Sequence, residues 1–83
     1  MSRRPLTTTY VVRKVGIPRH TLYSLEVMGY ITPRLRTIGN LEMRLYSPED
    51  LEKITLLWKY LKEGFHYDVA YMKAMKDLGG RKR

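Results

Sequence analysis

GIPRHTLYSLEVMGYITPRLRTIGNLEMRLYS, residues 16–47, contains in order a short helix, a glycine stop, a basic hairpin and the start signal of a further helix. The helix is predicted to open at Pro18 or Arg19 and to run to Met28. Proline's fixed φ suits a helix start, and Gly29 is placed to end it in a left-handed conformation. Leu22, Leu25, Glu26 and Met28 give this helix one largely apolar side, while Arg19, His20, Tyr23 and Ser24 face outward. Arg34, Arg36 and Arg44 then lie around a turn at Ile38-Gly39-Asn40-Leu41. A short helix showing small polar and basic groups beside a basic hairpin suits a major groove flanked by two phosphate backbones.

Upstream, Thr7-Thr8-Thr9 offers a helix N-cap, and Tyr10 to Val15 reads as a first short helix with Val11, Val12 and Val15 on its buried side. Met1 to Leu6 is expected to be a flexible arm, whose Arg3 and Arg4 can reach a phosphate or the minor groove. In the hairpin, strand side chains alternate between faces. Arg34 and Arg36 therefore share one face of the first strand. On the second strand Glu42, Arg44 and Tyr46 oppose Leu41, Met43 and Leu45. Alternation alone leaves open which face meets the core.

Downstream, Ser47-Pro48-Glu49-Asp50 is a strong helix start: a capping hydroxyl, a proline in the first turn and two acids at the positive helix end. That helix runs to about Glu63, with Leu51, Ile54, Leu57, Trp58 and Leu61 at core spacing and Gly64 as its stop. A last helix spans about Tyr67 to Leu78. Tyr67, Ala70, Tyr71, Ala74 and Leu78 form one stripe, and Phe65, Val69, Met72 and Met75 form a second. A helix with one core-facing stripe does not need another, so Val69, Met72 and Met75 are a candidate protein interface, the other reading being that the small domain wraps both stripes. Gly79-Gly80 is expected to loosen the chain into a basic tail of Arg81, Lys82 and Arg83.

These residues together resemble the DNA-binding domain of MerR-type transcription regulators, a winged helix-turn-helix. Gly16, Ile17, Thr21, Leu22, Glu26, Gly29, Pro33, Arg44, Tyr46, Ser47, Glu49, Asp50 and Leu51 fall in register with the family pattern, as does Gly64-Phe65 farther on. The resemblance covers about residues 6–76. Departures occur after Thr21-Leu22, where Tyr23, Ser24 and Leu25 replace the family's Arg-aromatic-Tyr, and in the wing, where Asn40, Leu41, Glu42 and Met43 separate Gly39 from Arg44. The resemblance implies a mainly α fold of about four helices with a β-hairpin wing, filling residues 7–78. It further implies that the helix from Arg19 to Met28 reads DNA. Arg19, His20, Thr21, Tyr23 and Ser24 then form the helix contribution to the site, and Arg34, Arg36 and Arg44 the wing's. Tyr46 is implied to pack under the wing; for Arg44, positioning the hairpin and contacting phosphate are both open.

Charge distribution agrees. The 83 residues carry a net charge of +8, of which residues 1–44 hold +6, residues 45–80 hold −1 and the last three hold +3. A basic half backed by a balanced half calls for a polyanion partner. There are no cysteines, which excludes disulfides, thiolate metal sites and thiol catalysis and is compatible with a reducing cytoplasm. No apolar run approaches the roughly 18 residues of a membrane span. No phosphate loop, Ser/His/Asp set or His/Glu cluster at metal spacing is present, and Glu49 and Asp50 are sufficiently explained by capping. His20 has no carboxylate or thiol at ligand spacing and reads as solvent-facing or base-contacting.

The expectation is therefore a non-enzymatic, cytoplasmic, nucleoid-associated protein with no cofactor, metal, membrane or small-molecule effector. It would bind double-stranded DNA as a MerR-type regulator, without the family's usual dimerisation helix and effector module, and would self-associate on DNA. Two other readings fit the same residues: an excisionase-like recombination directionality factor, and a basic RNA- or protein-binding adaptor.

Overall fold

The computed structural model describes residues 6–81. Strand β1 (Leu6–Thr7) leads into helix α1 (Thr8–Val15), and a short turn leads into helix α2 (Arg19–Val27). Strands β2 (Arg34–Ile38) and β3 (Leu41–Tyr46) form the wing, followed by helices α3 (Pro48–Lys62) and α4 (Tyr67–Arg81). Four helices and a small antiparallel sheet make a winged helix-turn-helix, as the resemblance implies.

The helix ends are set by local chemistry. Thr7 caps α1 by accepting from the Tyr10 N–H. Ser47 and Asp50 cap α3 reciprocally, each side chain accepting the other's backbone N–H at 3.0 Å. Helices α2 and α3 close alike. Gly29 and Gly64 adopt φ of 84° and 102°. The N–H groups of Tyr30 and Phe65 reach back to the carbonyls of Leu25 and Tyr60 at 2.9 and 3.2 Å. This left-handed closure suits glycine because a Cβ is disfavoured at positive φ. The Phe65 ring then sits edge-on to Tyr60, centroids 6.0 Å apart, as the apolar contact that accompanies such an end.

The core joins every helix to the sheet. Val11, Ile17, Leu22, Leu25, Ile31, Tyr46, Ile54, Leu57, Ala70 and Ala74 are buried together. Ile17 lies in the tight turn after Gly16 and anchors it. Ala70 and Ala74 let α4 approach α3, where the Tyr60 hydroxyl donates to Asp77 Oδ2 at 2.5 Å. Trp58 is half-buried against this core. Lys53 Nζ donates to the Tyr30 carbonyl at 3.1 Å, and Tyr30 stacks on Tyr71 with centroids 4.8 Å apart, tying the end of α2 to both later helices.

Five expectations need correction. The first helix begins at Thr8 rather than Tyr10, since Thr7 takes the cap. Leu6 belongs to a strand, not to an arm: it pairs with Tyr46, and Thr7 pairs with Leu45, giving a sheet of order β1-β3-β2. A two-residue strand carries no alternation for a sequence reading to detect. The last helix continues past Leu78 through Gly79 and Gly80 to Arg81. Neither glycine has a positive φ, and glycine in a helix costs only about 1 kcal/mol relative to alanine, a penalty rather than a stop. Met28 is half-exposed at the C-cap of α2 instead of on its buried side. Finally, the second stripe of α4 is not uniformly open. Val69 and Met75 are half-buried, Phe65 is engaged by Tyr60 and by Lys73 at 4.8 Å, and Met72 remains 67 % exposed.

Candidate nucleic-acid interface

The outward face of α2 follows from helical spacing. Leu22 and Leu25 are buried, so residues on the far side of the turn project outward. Arg19, His20 and Tyr23 are exposed there and Ser24 is half-buried. Thr21 does not join them. It is only 7 % exposed and shares its side of the helix with Leu25, four residues on. A residue not predicted takes a place on the face instead: Val27 is 85 % exposed, the most open large apolar side chain described. Its spacing of seven from His20 and four from Tyr23 marks it as outward, but its apolar character hides it from a search for polar groups.

The wing meets this helix through Arg44. Its Nε donates to Glu26 Oε1 at 2.6 Å, and its guanidinium lies over the Tyr23 ring, 5.2 Å from the centroid. The hydrogen bond to Glu26 is the main reason that the Arg44 pKa is raised, against a smaller opposing effect of burial. Arg44 is thus committed within the domain, and it couples the orientation of Tyr23 to that of the wing. Beneath it Tyr46 is buried, as implied by the resemblance. The Tyr46 hydroxyl has no hydrogen-bond partner among the described residues. Burial raises its pKa, and the Thr8 hydroxyl, outside good hydrogen-bonding geometry, only partly opposes this.

The three wing arginines do not form one patch. Arg34 pairs with Leu45 and Arg36 with Met43, whereas Leu35 pairs with Arg44. Directly paired residues of antiparallel strands share a face, so Arg34 and Arg36 lie on the side opposite Arg44. Both are exposed. They line an open groove whose far wall is the start of α3, including Ser47, Glu49 and Asp50. The turn joining the strands is tight: Gly39 has φ of 63° and Asn40 does not have a positive φ, the pattern of a two-residue turn with glycine first. Arg3, Arg4, Lys82, Arg83 and the side chain of Arg81 lie outside the described residues.

Among the described residues, no group of three or more His, Cys, Asp or Glu is placed to hold a metal ion. No helix among them is long and apolar enough to cross a membrane. No curated protein matches the chain. The family model for the MerR HTH family regulatory protein matches residues 6–74, from the first strand to the middle of α4. A winged helix-turn-helix whose second helix turns Arg19, His20 and Tyr23 outward, matched by the family model over most of the chain, belongs to the MerR HTH family of DNA-binding regulatory proteins.

Proposed function

We propose that the protein is a sequence-specific double-stranded DNA-binding transcription regulator, acting at the nucleoid. Helix α2 enters the major groove with Arg19, His20, Tyr23 and Ser24 toward base edges and neighbouring phosphates. Val27 adds an apolar group suited to a thymine methyl. Arg34 and Arg36 contact the flanking backbone. Arg44 acts indirectly, by holding the wing against α2. The observation that carries this reading is the Arg44–Glu26 bond beside the exposed face of α2, which fixes a reading helix and a basic wing as one unit.

Affinity for random and selected duplexes, measured across a salt series, tests it. Neutralising about six phosphates gives a slope of log K against log salt of about −5. Arg36→Ala is expected to weaken binding to all duplexes and to lower that slope by about one. His20→Ala or Ser24→Ala is expected to relax preference at particular base pairs, by about 1–3 kcal/mol for a good direct contact. A slope near zero refutes the reading.

The exposed Met72, flanked by Val69 and Met75, supports a second element of the proposal: neighbouring copies associate on DNA through this part of α4. A head-to-tail contact of this kind does not close and can propagate along direct repeats. Met72→Lys is then expected to abolish cooperativity in footprinting while leaving single-site affinity unchanged. Equal cooperativity in the variant removes α4 from the interface.

A further inference from the structure

The tip of the wing is apolar. Ile38 and Leu41 flank the Gly39-Asn40 turn, oppose one another directly across the strands, and are 55 % and 65 % exposed. As a cross-strand pair they share one face and make a single knob at the end of the hairpin. The turn needs only its glycine, and side chains this exposed contribute little burial to the fold, so folding accounts for neither residue. Behind the knob, on the same face of β2, stand Arg36 and then Arg34. Glu42, the acid nearest the tip, pairs with Thr37 on the opposite face.

The anchoring of the wing sets how far the knob reaches. Arg44 is bonded to the flank of α2, and Leu41 lies three residues farther out, which is about 10 Å of strand. Along the strand the tip therefore extends well past the Arg44–Glu26 contact with α2. A major groove about 12 Å wide extends only about 6 Å to either side of a helix at its centre. A tip about 10 Å beyond a contact on the flank of α2 is long enough to cross one phosphate strand toward the neighbouring minor groove.

We propose that Ile38 and Leu41 form an apolar wedge that enters this minor groove, unstacks a base step and bends the DNA. The inference rests on the DNA-binding reading given above. Charge selects the occupant: Arg36 and Arg34 immediately behind the wedge attract the phosphates lining a groove, whereas a symmetric contact with a second copy brings like charges together. Apolar side chains inserted from the minor groove kink duplexes by about 20–90°. Pyrimidine–purine steps resist least, so the wedge adds a preference for such a step in the flank of the site.

The test uses the full chain and duplexes bearing its selected site, with 2-aminopurine placed in turn at each flanking adenine, and reads affinity, fluorescence and gel-measured bending separately. The wild type is expected to raise fluorescence at one flanking step and to bend the duplex. Ile38→Ser/Leu41→Ser, a change confined to the exposed tip, is expected to keep the salt slope but lose the fluorescence rise and the bend. Arg36→Ala, the comparison variant, is expected to lower the slope and keep the bend. Tight, salt-dependent binding by the wild type with neither signal overturns the wedge while leaving DNA binding intact, as does a double-serine variant that bends DNA like the wild type. Failure to bind duplex at all overturns both readings. A solution dimer abolished by the double-serine change assigns the knob to a second copy and overturns the wedge.

Discussion

Glu26→Gln separates the two roles open to Arg44, because they require opposite signs. The substitution keeps the side chain's size and removes its charge. The bond it weakens is short, 2.6 Å, and charge-assisted, a type worth about 1.5–3 kcal/mol when protected from solvent. The side chains of Arg44 and Glu26 are 36 % and 23 % exposed, and solvent screening brings the value down to about 1 kcal/mol. If Arg44 only positions the wing, Glu26→Gln weakens DNA binding by about fivefold, even though it removes an anion close to the phosphates. Arg44→Ala then acts through the same contact. The double variant is little worse than either single one, giving a coupling energy of about 1 kcal/mol in a double-mutant cycle read by duplex affinity. Arg44→Lys does not restore binding, since an ammonium cannot reproduce a planar guanidinium over the Tyr23 ring. The salt slope stays unchanged throughout. Tighter binding by Glu26→Gln, together with a slope lowered by about one in Arg44→Ala, refutes the positioning role and makes Arg44 a phosphate contact.

Tyr46→Phe removes a buried hydroxyl that has no hydrogen-bond partner among the described residues, and is expected to raise stability by about 1 kcal/mol in denaturant unfolding; a loss of that size shows that the hydroxyl is bonded. The same residue sets an alkaline dependence. Its folded pKa is raised by burial, so its contribution is fully present below the unfolded tyrosine pKa of about 10 and is lost as pH rises through the folded value. Tyr60, whose pKa is raised by its bond to Asp77, acts in the same direction, so Tyr46→Phe should reduce the fall in stability above about pH 10 without abolishing it. Ser47→Ala, which breaks the reciprocal cap of α3, is expected to cost about 1 kcal/mol by thermal or denaturant unfolding; no change places the start of α3 under tertiary control. Leu57→Ala, at a fully buried position, is expected to cost about 2–5 kcal/mol, and a loss well below this range shows that α4 collapses into the space.

Starts and stops of the helices around the reading unit were legible because they depend on groups within a few residues of one another. Ser47 with Asp50, Gly29 after α2 and Gly64 after α3 each act through a bond spanning one turn. Helical spacing also marked the outward side of α2. Applied without regard to polarity, it places Thr21 with Leu25 inside and Val27 outside. Thr21 entered the site through the resemblance rather than through spacing, and reading apolar groups as core is what passed over Val27.

The residues alone therefore determined the order of the four helices and the wing, the start of α3, the stops of α2 and α3, the two-residue wing turn and the basic half of the chain. Tertiary structure decided that Arg44 faces Glu26, eighteen residues away, while Arg34 and Arg36 face the other side of the hairpin. It also supplied β1, whose two residues become a strand only because β3 presents an edge to pair with. Caps and turns depend on bonds between near neighbours that any chain with those residues can make. The partner of Arg44 and the inner face of the wing depend on contacts that exist only once distant segments have packed together.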